Sequence, residues 1–286
     1  MANLRSIRKR IASVKNTRQI TKAMKLVSGA KLKRATDAVV SARPYSRKLK
    51  EILENVLART EQVSHPLFQA RDEVRHIRII LFGSDRGLCG SFNSSLQRRV
   101  EHLLKELPGV EIDFITIGRK PRDYARRRGW TVVKEFGGVA PARYSTLSRE
   151  LVVELLAEYE AARIDKVLLV FNQFRTALSQ DVIVESLLPL TPPKAEEVSG
   201  SMVDFIYEPS RSSILDALLP QIVTARTLQA FLESNASEHG ARMTSMDNAT
   251  RNATEMIDRL TLEYNRARQA AITKELVEIV SGAEAL

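Results

Sequence analysis

The residues of this 286-residue chain whose types and spacing could do chemistry gather first at GSDRGLCGSF, running from Gly83 to Phe92. Glycines that follow an apolar strand can offer backbone amides to a phosphate at a helix N-terminus. Here the glycines at 83, 87 and 90 give neither the G-x-G-x-x-G spacing nor a closing Gly-Lys-Ser/Thr. The plainer reading is a structural turn, with Asp85 and Arg86 as the residues that would matter if a ligand or partner touched it. His65, His76, His102 and His239 are scattered, with no Cys or carboxylate at metal-ligand spacing. Cys89, the single cysteine, has only Arg86 as a nearby base, and no G-x-S-x-G elbow is present. Glu196 and Glu197 fall in a loop and read as solvated. No catalytic, cofactor-binding or metal-binding residue is expected.

The other chemistry is electrostatic. The formal net charge is +10, and the first fifty residues carry fifteen Lys and Arg against the single acid Asp37. Such a segment suggests an acidic partner: nucleic acid, an anionic membrane surface or an acidic protein. The bland alternative is a solvated helix face, but these cations surround the helix instead of lining one side. Nucleic acid is the guess from charge alone, weakened by the lack of interleaved aromatics or any recognition motif. One free thiol fits a reducing compartment. No run of about eighteen apolar residues occurs, and no signal-peptide core opens the chain, so a soluble or peripheral protein is expected. The basic N-terminus has the composition of a transit peptide, yet its periodicity continues past any removable leader.

These residues must be positioned by long helices at either end of a globular domain. From Ser210 to Leu286 there is no proline after Pro220 and no glycine between Gly240 and Gly282. Met246, Ala249, Ala253, Met256, Leu260, Tyr264, Ala267 and Ala271 recur at spacings of three and four, as in a coiled-coil seam. A straight helix of this length would reach ~100 Å at about 1.5 Å per residue, less if Pro220 bends it. At the other end Ile7, Ile11 and Val14, then Met24 and Val27, keep the same spacing. Pro44 predicts a kink or short break, after which Leu49, Ile52, Leu53, Val56 and Leu57 resume the pattern until it fades near Ser64 to Leu67.

Between the helices the texture alternates. Strands are predicted at His76 to Phe82, Glu111 to Gly118, Trp130 to Phe136, Lys166 to Phe174 and Val182 to Pro189. Helices are predicted near Phe92 to Leu107, Pro121 to Arg128 and Thr146 to Ala162. The alternation points to a parallel sheet closed by a final hairpin, followed by a polar loop and a short strand at Met202 to Pro209. The expected fold class is α/β: a long antiparallel coiled coil of the terminal helices (1–60 and 210–286) with a central Rossmann-like domain (75–208). The pairing of the two helices follows because each narrow stripe would otherwise lie in water.

LRSIRKRIASVKNTRQITKAMKLVSGAKLKRA near the N-terminus, the stretch from Ala241 to Leu286, and SDRGLCGSFN between them resemble the gamma-subunit family of F-type ATP synthases. The lone Cys89, without a cysteine-bearing insertion, is similar to the bacterial rather than the chloroplast type. The resemblance implies a non-catalytic central-stalk rotor, present once per complex, that couples proton-driven c-ring rotation to ATP synthesis or hydrolysis. Its implied partners are the alpha and beta subunits, the epsilon subunit and the c-ring, with no nucleic acid. Its implied place is the cytoplasmic face of the bacterial inner membrane, peripherally bound. It further implies that Met24, Lys25, Arg242, Gln269, Thr273, Glu275, Ile279 and Val280 face the alpha/beta hexamer, with Ala283 to Leu286 completing the tip. Phe205, Tyr207 and Glu208 would form the foot toward the c-ring and epsilon. The alternative is a basic coiled-coil protein that binds nucleic acid or an anionic surface.

Overall fold

The computed structural model describes residues 4–58, 65–191 and 211–284. In chain order it contains α1 (Leu4–Ala58), β1 (His76–Phe82), α2 (Phe92–Lys105), β2 (Glu111–Ile117), α3 (Arg119–Arg127), β3 (Thr131–Phe136), α4 (Tyr144–Glu160), β4 (Lys166–Phe174), β5 (Gln180–Leu188) and α5 (Arg211–Glu284). The strand expected at Met202 to Pro209 lies outside the described residues. The chain divides into two compact units, residues 1–29 with 242–286, and residues 30–241.

The larger unit is built on a sheet of order β3-β2-β1-β4-β5, parallel throughout except for the β4–β5 hairpin. Because side chains alternate along each strand, the sheet has two apolar faces. Ile79, Leu81, Phe114 and Val170 pack under Leu96, Val100 and Leu103 of α2. On the opposite face Ile80, Ile115, Leu169 and Phe171 meet three helices at once: Leu151 and Leu155 of α4, Leu53 and Val56 of α1, and Leu219, Val223 and Phe231 of α5. Both terminal helices are therefore part of this core.

One ionic cluster lies on this second face, the side that carries α4. Arg78 and Asp113 are directly opposed on β1 and β2, both are buried, and the guanidinium donates to both carboxylate oxygens at 2.7 Å. Arg78 also pairs with Glu158 of α4, and His76 Nε2 lies 2.9 Å from Asp113. Bidentate geometry suits burial of such a pair, because every charged atom finds a partner.

The smaller unit is a two-helix antiparallel seam. Lys25 Nζ meets Asp247 Oδ1 at 2.5 Å, Thr250 Oγ1 donates to Thr21 Oγ1 at 2.8 Å, and a Cβ on Gly29 would touch Met243 Sδ at 3.4 Å. As the number falls along α1 it rises along α5. The inward residues of α5 are Met246, Thr250, Ala253, Ile257, Leu260, Tyr264, Ala267 and Ala271, which alternate steps of four and three without exception. Met256, expected on this seam, is instead 48% exposed. A stripe through Met256 needs two successive steps of four, and these would carry it ~80° around the helix at about 100° per residue. On α1 the seam likewise passes through Arg18, Thr21, Lys25 and Ser28, whereas Val27 is 56% exposed.

Neither proline breaks its helix: α1 is continuous through Pro44 and α5 through Pro220. Pro44 sits on an exposed face, and Val40, whose carbonyl loses its helical donor, is exposed as well. Water can satisfy that carbonyl, while the buried side of the helix carries it onward. In urea unfolding, Asp113→Ala should cost ~3–5 kcal/mol, because it removes the bidentate partner of the buried Arg78 guanidinium and leaves it only Glu158. A cost below ~1 kcal/mol, typical of a surface pair, would show that this cluster does not tie β1 to β2.

Candidate functional site

Doubly wound sheets bind their ligands beyond the C-terminal ends of the strands, where the strand order reverses, and here that point lies between β1 and β4. It is filled by α5. The Phe231 ring stands edge-on to Phe82 at 4.9 Å and stacks on Tyr144 at 4.9 Å. Glu233, 3% exposed, accepts the Phe174 backbone N–H at 3.0 Å. Ser237 donates to the Asn172 carbonyl at 2.9 Å. A Cβ at Gly240 would already touch the Phe174 ring and Ala177 at 3.4 Å, and Ala241 packs with Cys89 and Phe92. Burial, with the charges of Glu238 and Asp85 behind it, pushes the Tyr144 phenol well above its usual range. A tyrosine so placed stays neutral and serves as packing.

The glycine-rich turn is also occupied by the chain itself. Gly118 has φ +99°, and a Cβ there would fall 2.4 Å from the Gly83 carbonyl oxygen; one on Gly83 would fall 2.7 Å from Pro121. Glycine is needed at both positions for the β1–α2 and β2–α3 turns to pass in contact. Asp85 then accepts the Arg119 N–H at 3.1 Å and the Gly138 N–H at 3.0 Å, with Arg119 Nε at 3.4 Å. Gly118, at the N-cap of α3, has no side chain to cap the helix; Asp85 supplies the acceptor from another loop. Ser84 Oγ donates to the Arg86 carbonyl at 2.7 Å, and Asn93 Nδ2 donates to Ser84 Oγ at 2.8 Å. The turn is a structural joint.

Three of the four histidines are likewise engaged within the fold. His65 Nδ1 accepts the Leu67 N–H at 3.1 Å, His76 Nδ1 donates to the Arg163 carbonyl at 2.8 Å, and His102 lies 2.7 Å from Glu106. Among the described residues no group of His, Cys, Asp and Glu could hold a metal ion.

The surface of the smaller unit is open to a partner. Gln269, Thr273, Glu275, Ile279 and Val280 are exposed, and Met24 and Arg242 are half-buried. Gln269 and Thr273 each lie two residues past a seam position, about 200° around the helix and so facing away from α1. Lys25 is not a free cation, since it bonds Asp247 across the seam. Phe205, Tyr207 and Glu208 lie outside the described residues.

The structure adds residues that pattern reading passed over. The register that sets Thr21 beside Thr250 sets Leu4 near Ala267, so α5 beyond about residue 271 has no described α1 residue opposite it. Ile272, Leu276 and Val277 join Ile279 and Val280 as exposed large apolar side chains, Ile279 at 68%. On α1, Ile20, Leu26 and Val27 are exposed too. The available signal was the mismatch in length between the two helices. An apolar, unpaired helix of this kind marks an interaction surface.

Comparison with known proteins shows the family of the chain. The family model described as ATP synthase matches residues 3–286. An ATP synthase gamma chain of Geobacter sp. (strain M21) is 49% identical over 292 residues, covering 100% of this chain and 99% of the relative. The ATP synthase gamma chain of Pelotomaculum thermopropionicum is 48% identical over 287 residues, covering both completely. Among solved structures, a chain of the Euglena gracilis mitochondrial ATP synthase rotor superposes with a TM-score of 0.62 at 17% identity, covering 94% of this chain and 98% of that one. A chain of the OSCP/F1/c-ring assembly from the same organism gives a TM-score of 0.65 at 20% identity, covering 99% and 94%. At these identities the two structures speak for the fold.

Asp85→Ala leaves the Arg119 amide at the start of α3 and the Gly138 amide without their acceptor, and should lower stability by ~1–3 kcal/mol in urea unfolding; a neutral result would remove the capping role. The hydrogen bond from Lys25, with the Lys25 and Arg251 charges, holds the Asp247 carboxyl below its usual range. A depressed carboxylate stabilises the fold above its unfolded pKa and loses that contribution as pH falls through the folded value. Coiled-coil helicity followed by circular dichroism should therefore decline on acidification below about pH 4, and Asp247→Asn should flatten that decline. An unchanged acid profile would mean the pair contributes nothing.

Proposed function

The chain belongs to the ATP synthase gamma-chain family, and from that premise we propose how its parts serve a central-stalk rotor. It is a non-catalytic subunit that couples rotation of the c-ring to ATP synthesis or hydrolysis in the alpha and beta subunits, with epsilon as a further partner. The observation that carries the assignment of parts is the α5 segment past Ala271, a helix with five large exposed apolar residues and no described helix opposite it. Such a segment fits a socket in another subunit. We assign Ile279 and Val280 to that socket, and Met24, Lys25, Arg242, Gln269, Thr273 and Glu275 to the surface that sweeps past alpha and beta.

Phe205, Tyr207 and Glu208 are assigned to the foot at the c-ring and epsilon on family grounds alone. The terminal segments, 1–60 and 210–286, act as the shaft, and 75–208 as the domain that anchors it. No described helix is long and apolar enough to cross a membrane, which suits a subunit held to the membrane through its complex; we place that complex on the cytoplasmic face of a bacterial inner membrane. The nucleic-acid reading has no support beyond net charge.

A shaft that turns inside a sleeve needs contacts that are small, apolar or long-range, because strong fixed contacts would hold one angular position. The assay is reconstitution of the full chain with bacterial alpha and beta subunits, read by co-purification and ATP hydrolysis. The wild-type chain should assemble and support turnover. Ile279→Asp with Val280→Asp should reduce assembly at least about tenfold, since each buries a charge in an apolar socket. Gln269→Ala with Thr273→Ala should change turnover while leaving thermal stability unaltered, as both face away from the seam. Failure of the wild-type chain to assemble would refute the rotor role; full assembly of the aspartate variant would refute the socket.

A further inference from the structure

A cavity of about 550 Å³ opens between α1, β5 and α5, wholly within residues 30–241. Its walls combine two chemistries. Leu53, Ile222 and Leu232 give it an apolar lining, while Arg43, Arg47 and Arg226 bring three guanidinium groups to the same space. The acids that line it are already engaged. Glu233 accepts the Phe174 amide, and Glu185 lies 3.9 Å from Arg226, with burial pushing its carboxyl upward against the pull of that arginine.

Arg43 and Arg47 differ from Arg226. They stand one helical turn apart on α1, both are exposed and so mark the mouth of the cavity, and neither has a hydrogen-bond or ion-pair partner among the described residues. Two like charges at i and i+4 repel unless an anion lies between them. Guanidinium forks match the two oxygens of a carboxylate. A volume of this size falls within the usual range for small-ligand sites, which pair apolar walls with a few placed polar groups.

We propose that this cavity is a binding site for an organic anion with an apolar body, a medium-chain carboxylate whose head group sits between Arg43 and Arg47 and whose chain covers Leu53, Ile222 and Leu232. Nothing in the rotor role requires such a site, and the proposal stands apart from it. The ligand would clamp α1 to α5 where both pack on the sheet.

The test is isothermal titration of the full chain with decanoate, decanol and acetate. Decanoate should bind with 1:1 stoichiometry, and both decanol, which lacks the charge, and acetate, which lacks the chain, should bind at least about tenfold more weakly, since each loses one of the two contributions. Arg43→Gln with Arg47→Gln should weaken decanoate at least about tenfold. Gln229→Trp, which fills the cavity from α5, should abolish binding, while Lys33→Gln with Arg34→Gln, the same loss of charge elsewhere on α1, should leave it unchanged. Circular dichroism confirms that each variant is folded. Absence of decanoate binding at millimolar concentration, equal binding of decanol, or equal loss in the Lys33 and Arg34 control would overturn the site. The wild-type comparison of the three ligands decides the matter even if a variant does not fold.

Discussion

A helix that presents a stripe only two residues in seven wide can be dried by one other helix and by little else. That constraint organises both units of this chain. In the smaller unit the stripe of α5 from Met246 to Ala271 is served by the first turns of α1. The polar members of the seam are matched to each other: Thr21 with Thr250, and Lys25 with Asp247. A seam made of leucines alone would be more adhesive but less particular about its register, because any shift of one heptad would bury the same surface. Threonine against threonine and lysine against aspartate score well in one alignment only. Register matters more than adhesion when the relative placement of two helices is what transmits force.

In the larger unit the same helix solves a different problem. The sheet has a topology whose reversal point is an open crevice in nucleotide-binding relatives of the architecture, and an open crevice is a soft joint. Here Phe231, Glu233 and Ser237 fill it, two of them by hydrogen bonds to β4 backbone atoms that would otherwise face ligand or water. The cost is the loss of a ligand site; the gain is that α5 cannot turn against the sheet without breaking buried hydrogen bonds. Asp85 does similar work among the loops, holding α3 and the Gly138 turn through backbone amides. A domain that must resist torque is better served by such bonds than by apolar contact, which resists separation more than sliding.

Much of this could be read in the sequence. The order of strands and helices, the β4–β5 hairpin and the lengths of the two end helices follow from apolar periodicity and the placement of Gly and Pro. The seam was harder to place. Alanine and methionine drew attention at positions 249 and 256 because they are apolar, whereas the helix turns Thr250 and Ile257 inward because only a strict alternation of three and four stays on one face. Threonine and lysine seldom announce a seam position, and apolar periodicity alone does not pick out Thr21 or Lys25. Pro44 does not break α1 for a related reason: local rules give its cost, but not the packing of Leu49, Leu53 and Val56 that offsets it. The filling of the crevice by α5 could not be read at all, since it depends on which distant helix arrives there.

The outward surface of the paired helices poses the remaining question of how a shaft can be specific for its sleeve and still turn. A surface complementary to one partner face would favour one angle, with a barrier at every step equal to the complementarity lost. On this chain the exposed large apolar residues of α1 in the smaller unit are Ile20, Leu26 and Val27, and they stand among more numerous cations. Charge acts over a Debye length of about 8 Å at physiological salt, so a cationic shaft can stay centred among acidic surfaces without a fixed close contact. Apolar attraction is effective only at touching distance, and the exposed large apolar side chains cluster instead on α5 from Ile272 to Val280, opposite no described residue of α1. Adhesion near the axis of rotation resists turning least, because a contact exerts torque in proportion to its distance from that axis. Long-range attraction spread along a shaft, with short-range attraction confined to one slender helix, is a combination that leaves rotation the least hindered.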